Sequence, residues 1–367
     1  MGHRILYGVM QSNCRCLKCC DVMGGNGMLG WKMLGGLMLM AMAGVSQGAF
    51  WHKPPGAPEQ GFGSRENDIT DTYFEYQFGS AAEGDQTWYY VPAQLKYDTT
   101  APVVVFLHGF AALIPKLYQT HIEHLLKQGN IVIFPQFQKA TLTGFLSEAG
   151  LFAPADQSLW AARAVATVNQ ALDELGEQVQ ADEVYLYGHS LGGLIALAWQ
   201  AEGGVAPRAA VLSHPQVNAQ EGIPAFVRAF LRIIEIPWRD YAPDIDFPVV
   251  ILNGDEDTIA TVEQSREILS LLSAVPSAEL YIAQRDCFGY PCVSPNHGGP
   301  LDKIQGLPAH LKLFSVSGEL DSLDWRFYFA GLDAVMAGWQ QQLPFDPGHW
   351  SNGRPVKPVL VEALSAE

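Results

Sequence analysis

Short, continuously apolar runs alternate along this chain with segments in which apolar residues recur every three or four positions. The short runs are rich in Val, Ile and Leu, as is typical of parallel strands covered on both faces, and the periodic segments are typical of amphipathic helices. Two aromatic runs, 71–78 and 86–91, predict an antiparallel edge hairpin. Buried strands are predicted at 102–107, 130–134, 184–187, 208–213, 248–252 and, as the last strand, 279–283. Helices are predicted at 115–127, 155–175, 194–200 and 324–341.

This alternation predicts one α/β domain with a mostly parallel central sheet and helices on both faces. It is interrupted between residues 215 and 243, where apolar side chains recur at helical spacing. Two interpretations stay open there: a small helical cap over one end of the sheet, or a surface helix that packs its apolar face on the core. The apolar positions are Phe226, Val227, Phe230, Leu231, Ile233 and Ile234.

Residues 1–49 differ in composition from the remainder of the chain. They contain every methionine except Met336, and a basic start precedes an apolar run at 33–45. Such a run is shorter than the ~20 residues of a membrane span but fits the core of a secretory signal peptide. We therefore expect a secreted or periplasmic protein whose mature chain has no stable membrane insertion. An uncleaved leader that anchors the protein in a membrane is the alternative.

The remainder of the chain is acidic. The formal net charge of the whole chain is −16, and no stripe of basic residues offsets the acidic surface. An acidic surface repels nucleic acid, so a nucleic-acid partner is not expected.

The strongest chemical motif is Gly188-His-Ser-Leu-Gly192, which lies between a predicted strand and a predicted helix. In that context the motif predicts a nucleophile elbow, a turn so tight that only glycine fits on either side of a strained serine. Ser190 is therefore the candidate nucleophile. A structural glycine-rich turn is the alternative.

A serine hydroxyl needs a base to accept its proton and an acid to orient that base. In this strand order the acid follows the second strand after the elbow, and the base follows the last predicted strand. Asp255 and Asp257 follow the first of these strands, and His297 follows the second. His297 is therefore the candidate base, with His214 in reserve because it ends a strand near the site.

Acyl transfer also needs donors for the oxyanion that develops on the substrate. One backbone N–H is expected from Leu191, the residue after the nucleophile. The other is expected from Phe110, which follows His108-Gly109 at the end of the strand at 102–107. We also expect the Phe110 ring to line the acyl pocket.

These residues together resemble the α/β-hydrolase family over about residues 70–345. The matching motifs are His108-Gly-Phe110, Gly188-His-Ser-Leu-Gly192, Gly254-Asp-Glu-Asp257 and Asn296-His-Gly298. The resemblance implies the α/β-hydrolase fold, and it selects Asp257 as the acid because family members place it three residues after the glycine that ends its strand. Asp257-Thr-Ile-Ala260 also resembles the acid loop of bacterial cutinases and polyester hydrolases, and chlorophyllase-like and dienelactone-hydrolase-like branches stay open.

Two cysteines lie in the same predicted loop as His297. Cys287 and Cys292 flank Gly289 and Pro291, and in an exported protein they can close a small loop as a disulfide. Two free thiols are the alternative.

The sequence thus predicts a leader at 1–49, an α/β-hydrolase catalytic domain at 50–345 and a C-terminal tail at 346–367. The expected function is an exported serine hydrolase that cleaves a small-molecule or lipid-like carboxylic ester through an acyl-enzyme on Ser190, without a cofactor or metal. The alternatives are a peptidase, amidase or acyltransferase on the same fold, and a non-catalytic binding protein.

Overall fold

The structure is a computed structural model that describes residues 52–148, 150, 154–218, 232–303 and 318–364. The predicted leader at 1–49 and the apolar positions 226–231 lie outside these residues. None of the described helices has the length and apolar content that crossing a membrane requires.

Most of the described strands belong to one central sheet. Its strands are β1 (Tyr73–Phe78), β2 (Thr87–Pro92), β3 (Ala101–Leu107), β4 (Ile131–Pro135), β6 (Val179–His189), β7 (Ala209–Ser213), β9 (Val249–Gly254), β10 (Ala278–Ala283) and β11 (Leu360–Ala363). The order across the sheet is β1-β2-β4-β3-β6-β7-β9-β10-β11. The strands from β4 to β10 in that order are parallel, while β1, β2 and β11 pair antiparallel at the two sides. The carboxyl ends of the parallel strands therefore meet at one edge, where such sheets bind ligands.

Helices cover both faces of this sheet. They are α1 (Gln119–Lys127), α2 (Leu142–Glu148), α3 (Ser158–Leu175), α4 (Leu191–Ala198), α5 (Trp238–Tyr241), α6 (Val262–Leu271) and α7 (Ala330–Met336). A 3₁₀ turn at Pro115–Tyr118 precedes α1, and a π-helical turn at Asp324–Phe329 precedes α7. One core cluster contains side chains of α3, α4 and α6, and the other contains side chains of α1, the π-helical turn and α7.

Strand β3 shows why the apolar runs are continuous. Val103, Val105 and Leu107 belong to the first core cluster, whereas Val104 and Phe106 belong to the second. Successive side chains of a strand point to opposite faces, so a sheet covered on both faces needs an apolar residue at every position. The predicted α/β fold class, with a mostly parallel central sheet and helices on both faces, is confirmed.

The structure corrects the prediction around residue 155. Ala155–Asp156 is a short strand, β5, which pairs in parallel with β8 (Ile233–Ile234), so α3 begins only at Ser158. The helical interpretation of Ile233 and Ile234 is therefore wrong. Backbone hydrogen bonds from Ala155 to the Arg232 carbonyl at 2.8 Å and from Gln157 to the Ile234 carbonyl at 2.9 Å hold this pair extended.

Two further differences lie near the C-terminus. The helix predicted at 324–341 ends at Met336, because Gly338 adopts a positive φ of 95° and its N–H caps the Val335 carbonyl. Strand β10 is not the last strand, because β11 pairs with it from within the predicted tail at 346–367.

Candidate active site

The motif around Ser190 forms a strand–turn–helix in which α4 begins at the next residue, Leu191. Ser190 itself adopts φ 56° and ψ −116°, a conformation that non-glycine residues rarely take. A Cβ atom at Gly192 would lie 2.1 Å from the carbonyl oxygen of Leu107, and one at Gly188 would lie 2.5 Å from the carbonyl oxygen of Gly192. Both glycines are therefore required for the turn to close against β3.

Three of the predicted site residues lie in one hydrogen-bonded chain. Ser190 Oγ lies 2.8 Å from His297 Nε2, and His297 Nδ1 lies 2.8 Å from Asp257 Oδ2. All three residues are buried, with 3%, 7% and 6% of their surfaces exposed. The hydroxyl can therefore pass its proton to an imidazole that a carboxylate orients.

The acid in this chain is Asp257 and not Asp255. Asp257 Oδ1 accepts hydrogen bonds from the backbone N–H groups of Ile259 and Ala260, both at 2.8 Å, which leaves Oδ2 directed at the histidine. Asp255 turns away and accepts a hydrogen bond from the backbone N–H of Arg285. The contacts thus point to Asp257, the residue that the family resemblance also selects.

The electrostatics of the site keep Asp257 ionised. Burial alone would raise the pKa of the Asp257 carboxyl, but the hydrogen bonds and charge interactions with His214 and His297 outweigh burial and hold that pKa well below its usual range. An ionised acid at this position stabilises the imidazolium that forms when His297 accepts a proton.

His214, the reserve candidate for the base, has a different place. Its Nδ1 lies 2.7 Å from Asp257 Oδ2, and its Nε2 lies 2.8 Å from the Tyr328 hydroxyl. Both ring nitrogens are thus engaged away from Ser190. The sequence indicated that His214 lies near the site. Tyr328 was not identified, because the helix predicted at 324–341 carries no chemical motif.

His189, the residue before the nucleophile, lies between Tyr118 and the backbone of the candidate base His297. Its Nδ1 accepts a hydrogen bond from the Tyr118 hydroxyl at 2.8 Å, and its Nε2 donates to the His297 carbonyl at 3.0 Å. Burial, together with the neighbouring histidines, holds the pKa of His189 well below its usual value, so the ring is neutral. The Tyr118 hydroxyl in turn accepts the N–H of Gly109 at 2.9 Å. Sequence analysis missed Tyr118.

Of the two predicted oxyanion donors, Leu191 directly follows Ser190, and Phe110 directly follows Gly109, which approaches Ser190. Leu191 is the first residue of α4, where backbone N–H groups have no partner within the helix. Phe110 lies in a turn that the hydrogen bond from Ala112 N–H to the Gly109 carbonyl closes at 3.0 Å. Gly109 approaches the nucleophile so closely that a Cβ there would lie 3.2 Å from Ser190 Cβ.

The Phe110 ring packs in an aromatic group beside this turn. Its centroid lies 5.3 Å from Phe145 and 6.3 Å from Trp160. Phe145 and Trp160 are buried, while Phe110 is partly exposed. Its role in an acyl pocket stays a prediction.

Among the described residues, the Asp257 carboxylate and the imidazoles of His214 and His297 are also spaced as metal ligands could be. Ligand atoms of His214, Asp257 and His297 lie within 4.8 Å of one another. Each Nδ1 atom, however, donates a hydrogen bond to Asp257 Oδ2, and a nitrogen that carries a proton has no lone pair for a metal. The donor set therefore fits an ionised carboxylate that orients two imidazoles better than a metal site.

The loop that carries His297 is cross-linked. Cys287 and Cys292 form a disulfide, as the sequence predicted. Reciprocal backbone hydrogen bonds between Asp286 and Val293, at 3.0 and 2.9 Å, close the loop beside the disulfide. Cys292 therefore lies four residues before Asn296, where the turn that carries the candidate base His297 begins.

Comparison with known proteins supports the fold. The family model described as "Alpha/beta hydrolase family" matches residues 104–362. A search of curated protein sequences found no match.

Several solved structures are similar at low sequence identity. One, assigned as a dipeptidyl aminopeptidase IV from Bacteroides ovatus, has a TM-score of 0.50 and 11% identity over 72% of this chain and 35% of that one. An acylaminoacyl peptidase from Pyrococcus horikoshii has a TM-score of 0.48 and 15% identity over 81% and 43%. A protein assigned as a dienelactone hydrolase from Klebsiella pneumoniae has a TM-score of 0.46 and 14% identity over 73% and 99%. The chain thus spans less than half of either peptidase, and the likeness concerns the fold alone.

Proposed function

The chain belongs to the alpha/beta hydrolase family, and we propose that it is an exported serine hydrolase that cleaves carboxylic esters through an acyl-enzyme on Ser190. The observation that carries this proposal is the hydrogen-bonded chain from Ser190 through His297 to Asp257. The family supplies the hydrolase fold, and the chain of contacts supplies a nucleophile with its base.

In the first half of the reaction, His297 Nε2 accepts the Ser190 proton as Oγ attacks the ester carbonyl carbon. The carbonyl oxygen becomes an oxyanion, which the N–H groups of Phe110 and Leu191 would hold. Such a donor contributes about 3–4 kcal/mol to the transition state. His297 then gives its proton to the departing alkoxide, the alcohol leaves, and the acyl group stays on Ser190.

In the second half, water takes the place of the alcohol. His297 accepts a proton from the water as its oxygen attacks the acyl-enzyme, and a second oxyanion forms. Its collapse breaks the bond to Ser190 Oγ, His297 returns the proton to the serine, and the carboxylic acid leaves. Asp257 remains ionised throughout and stabilises the imidazolium in both halves.

Two observations support export. The apolar run at 33–45 has the length of a signal-peptide core. The disulfide between Cys287 and Cys292 is typical of proteins that fold in an oxidising compartment. Mass spectrometry of the protein recovered from the extracytoplasmic fraction tests this point, because cleavage of the leader predicted at 1–49 removes the N-terminal residues up to about the end of the apolar run.

The catalytic part is tested with Ser190→Ala and p-nitrophenyl butyrate. We expect ester hydrolysis to fall to background while thermal unfolding stays within a few degrees of the wild type. Ser270→Ala is the matched control, because Ser270 is exposed on α6 and its hydroxyl donates to the Glu267 carbonyl within the same helix. Full activity of Ser190→Ala would refute the proposal. A matched p-nitroanilide substrate in the same assay separates ester from amide cleavage.

A further inference from the structure

The carboxylate of Asp257 accepts four hydrogen bonds, which is its full capacity. The backbone N–H groups of Ile259 and Ala260 occupy Oδ1, and two imidazoles, His214 and His297, share Oδ2. A serine–histidine–acid mechanism requires only one of these imidazoles. The second, His214, therefore needs an explanation of its own.

The hydrogen-bond partners fix the tautomer of His214. Its Nδ1 must carry the proton, because Asp257 is ionised and only accepts. Its Nε2 then accepts the proton of the Tyr328 hydroxyl at 2.8 Å. Burial lowers the pKa of His214 and raises that of Tyr328, so the imidazole stays neutral and the phenol stays protonated. A neutral donor orients the carboxylate without cancelling the charge that His297 needs.

The backbone is distorted on both sides of the contact between His214 and Tyr328. His214 adopts a φ of 48°, in the left-handed region, directly after the end of β7. Tyr328 lies in the π-helical turn at Asp324–Phe329, a local distortion that is frequent at functional sites. Such distortions persist only where the surrounding structure compensates for them.

The loop of the base also leaves room for the tyrosine. A Cβ atom at Gly299, two residues after His297, would lie 2.3 Å from the Tyr328 hydroxyl oxygen. The absence of a side chain at this position lets the hydroxyl reach His214.

We propose that His214 is a positioning residue, which holds Asp257 Oδ2 in line with His297 and is itself held in the correct tautomer by the Tyr328 hydroxyl. This inference rests on the proposed function, because it assigns His214 to the same acyl-transfer site. The order of contacts is Tyr328 to His214, His214 to Asp257, Asp257 to His297, and His297 to Ser190. The ring nitrogens of His214 bond to Asp257 and Tyr328, so His214 acts on the site through Asp257.

Two substitutions of His214 separate the hydrogen bond from the backbone conformation. Asparagine tolerates a left-handed φ and carries an N–H donor at the same distance from Cα as Nδ1, whereas phenylalanine fills the space without a donor. For His214→Phe we expect kcat on p-nitrophenyl butyrate to fall about 10- to 100-fold with KM unchanged, the effect of one hydrogen bond to a charged group. For His214→Asn we expect most of kcat to return.

Tyr328→Phe tests the tautomer with a smaller change. Without the hydroxyl, only Asp257 favours the Nδ1 proton and His214 Nε2 is left buried without its partner, so the ring is held less firmly. We expect kcat to fall several-fold in the wild-type background and not at all in the His214→Asn background. Tyr281→Phe is the matched control, because Tyr281 is also buried and its hydroxyl bonds to Glu279 and to the N–H of Leu343, away from the site. If Tyr328 were purely structural, Tyr328→Phe would change the melting temperature but not kcat. Its effect on the melting temperature would then add to that of His214→Asn.

The labelling rate of Ser190 by a fluorophosphonate gives a second readout that needs no knowledge of the substrate. If the wild type does not label at Ser190, the proposed nucleophile is wrong, and the positioning role fails with it. If Ser190 labels and hydrolyses esters normally but His214→Phe has wild-type kcat and labelling rate, the positioning role alone is wrong. Should His214→Phe fail to fold, Tyr328→Phe decides: unchanged kcat and labelling rate overturn the inference.

Discussion

His189 Nε2 lies 3.0 Å from the carbonyl oxygen of His297, so the residue before the nucleophile holds the backbone of the base. The other ring nitrogen of His189 accepts a hydrogen bond from Tyr118, whose hydroxyl also accepts the N–H of Gly109. Tyr118 thereby joins the elbow to the turn at Gly109, and His189 joins the elbow to the loop that carries His297. The three segments form a single hydrogen-bonded unit.

We predict that Tyr118→Phe destabilises the protein by about 1–3 kcal/mol, because the substitution leaves the Gly109 N–H and His189 Nδ1 buried without a partner. Urea unfolding measures this change. Tyr97→Phe is the control, since the Tyr97 hydroxyl bonds to Glu183 on the exposed surface, where the loss should be small. Equal effects of the two substitutions would show that the joined loops add no stability.

For Asp257→Asn we predict a loss of kcat on the order of 10⁴-fold with near-normal folding, because the amide no longer enforces the tautomer of His297. Asp255→Asn provides a matched control two residues away, since the Asp255 carboxylate accepts the backbone N–H of Arg285 rather than bonding to a histidine of the site. Steady-state kinetics on one ester substrate compare the two variants. A similar loss in both would mean that the acid has been assigned wrongly.

A third prediction concerns Asp324, a buried carboxyl at the start of the π-helical turn. Burial, reinforced by the neighbouring Asp321 and Asp302, raises the pKa of Asp324 well above its usual value. The folded protein therefore binds a proton here more tightly than the unfolded chain, and this group's contribution to stability falls as pH rises above about 4.

Asp324→Asn imitates the protonated form and keeps an oxygen that can accept the N–H of Asp321. We expect this variant to be more stable than the wild type at pH 8 and to have nearly the same stability at pH 3.5. Urea unfolding at the two pH values measures the difference. A constant difference across this range would contradict the raised pKa.

The disulfide gives a fourth prediction. Cross-linking a loop as short as that between Cys287 and Cys292 stabilises a protein by about 2 kcal/mol in the chain-entropy account. We expect a reducing agent to lower the melting temperature of the wild type but not that of the Cys287→Ser/Cys292→Ser variant. Alkylation followed by intact-mass measurement checks the pairing itself. Two modified thiols in the unreduced exported protein would exclude the disulfide.

The sequence predicted the strands of the sheet core because each is buried on both faces and therefore continuously apolar. It missed β11, whose outer residues Leu360 and Val361 are exposed and whose pairing with β10 depends on a contact between distant parts of the chain. It also assigned Ile233 and Ile234 to a helix, because a two-residue strand is too short to show a period and is held by its partner alone.

The residues of the candidate site also differ in whether the sequence alone could identify them. Ser190 and His297 follow predicted strands at positions that the strand order specifies, so local patterns were sufficient to find them. For the acid, the strand order left Asp255 and Asp257 open, and the family resemblance selected Asp257. Tyr118 and Tyr328 reach the site from helices on the second face, where only the folded chain brings a phenol to an imidazole. Positioning residues of this kind carry no local pattern, and three-dimensional packing is needed to identify them.

Acyl transfer through Ser190 requires that its hydroxyl react with an electrophile that mimics the ester carbonyl. Incubation of the wild type with diisopropyl fluorophosphate, followed by intact-mass measurement, peptide mapping and a parallel ester assay, measures this reaction. We predict one phosphoryl adduct per chain, located on Ser190, with hydrolysis lost in proportion to the labelled fraction. Full hydrolysis by the completely labelled protein, or an adduct on another residue that accompanies the loss of activity, would contradict the account.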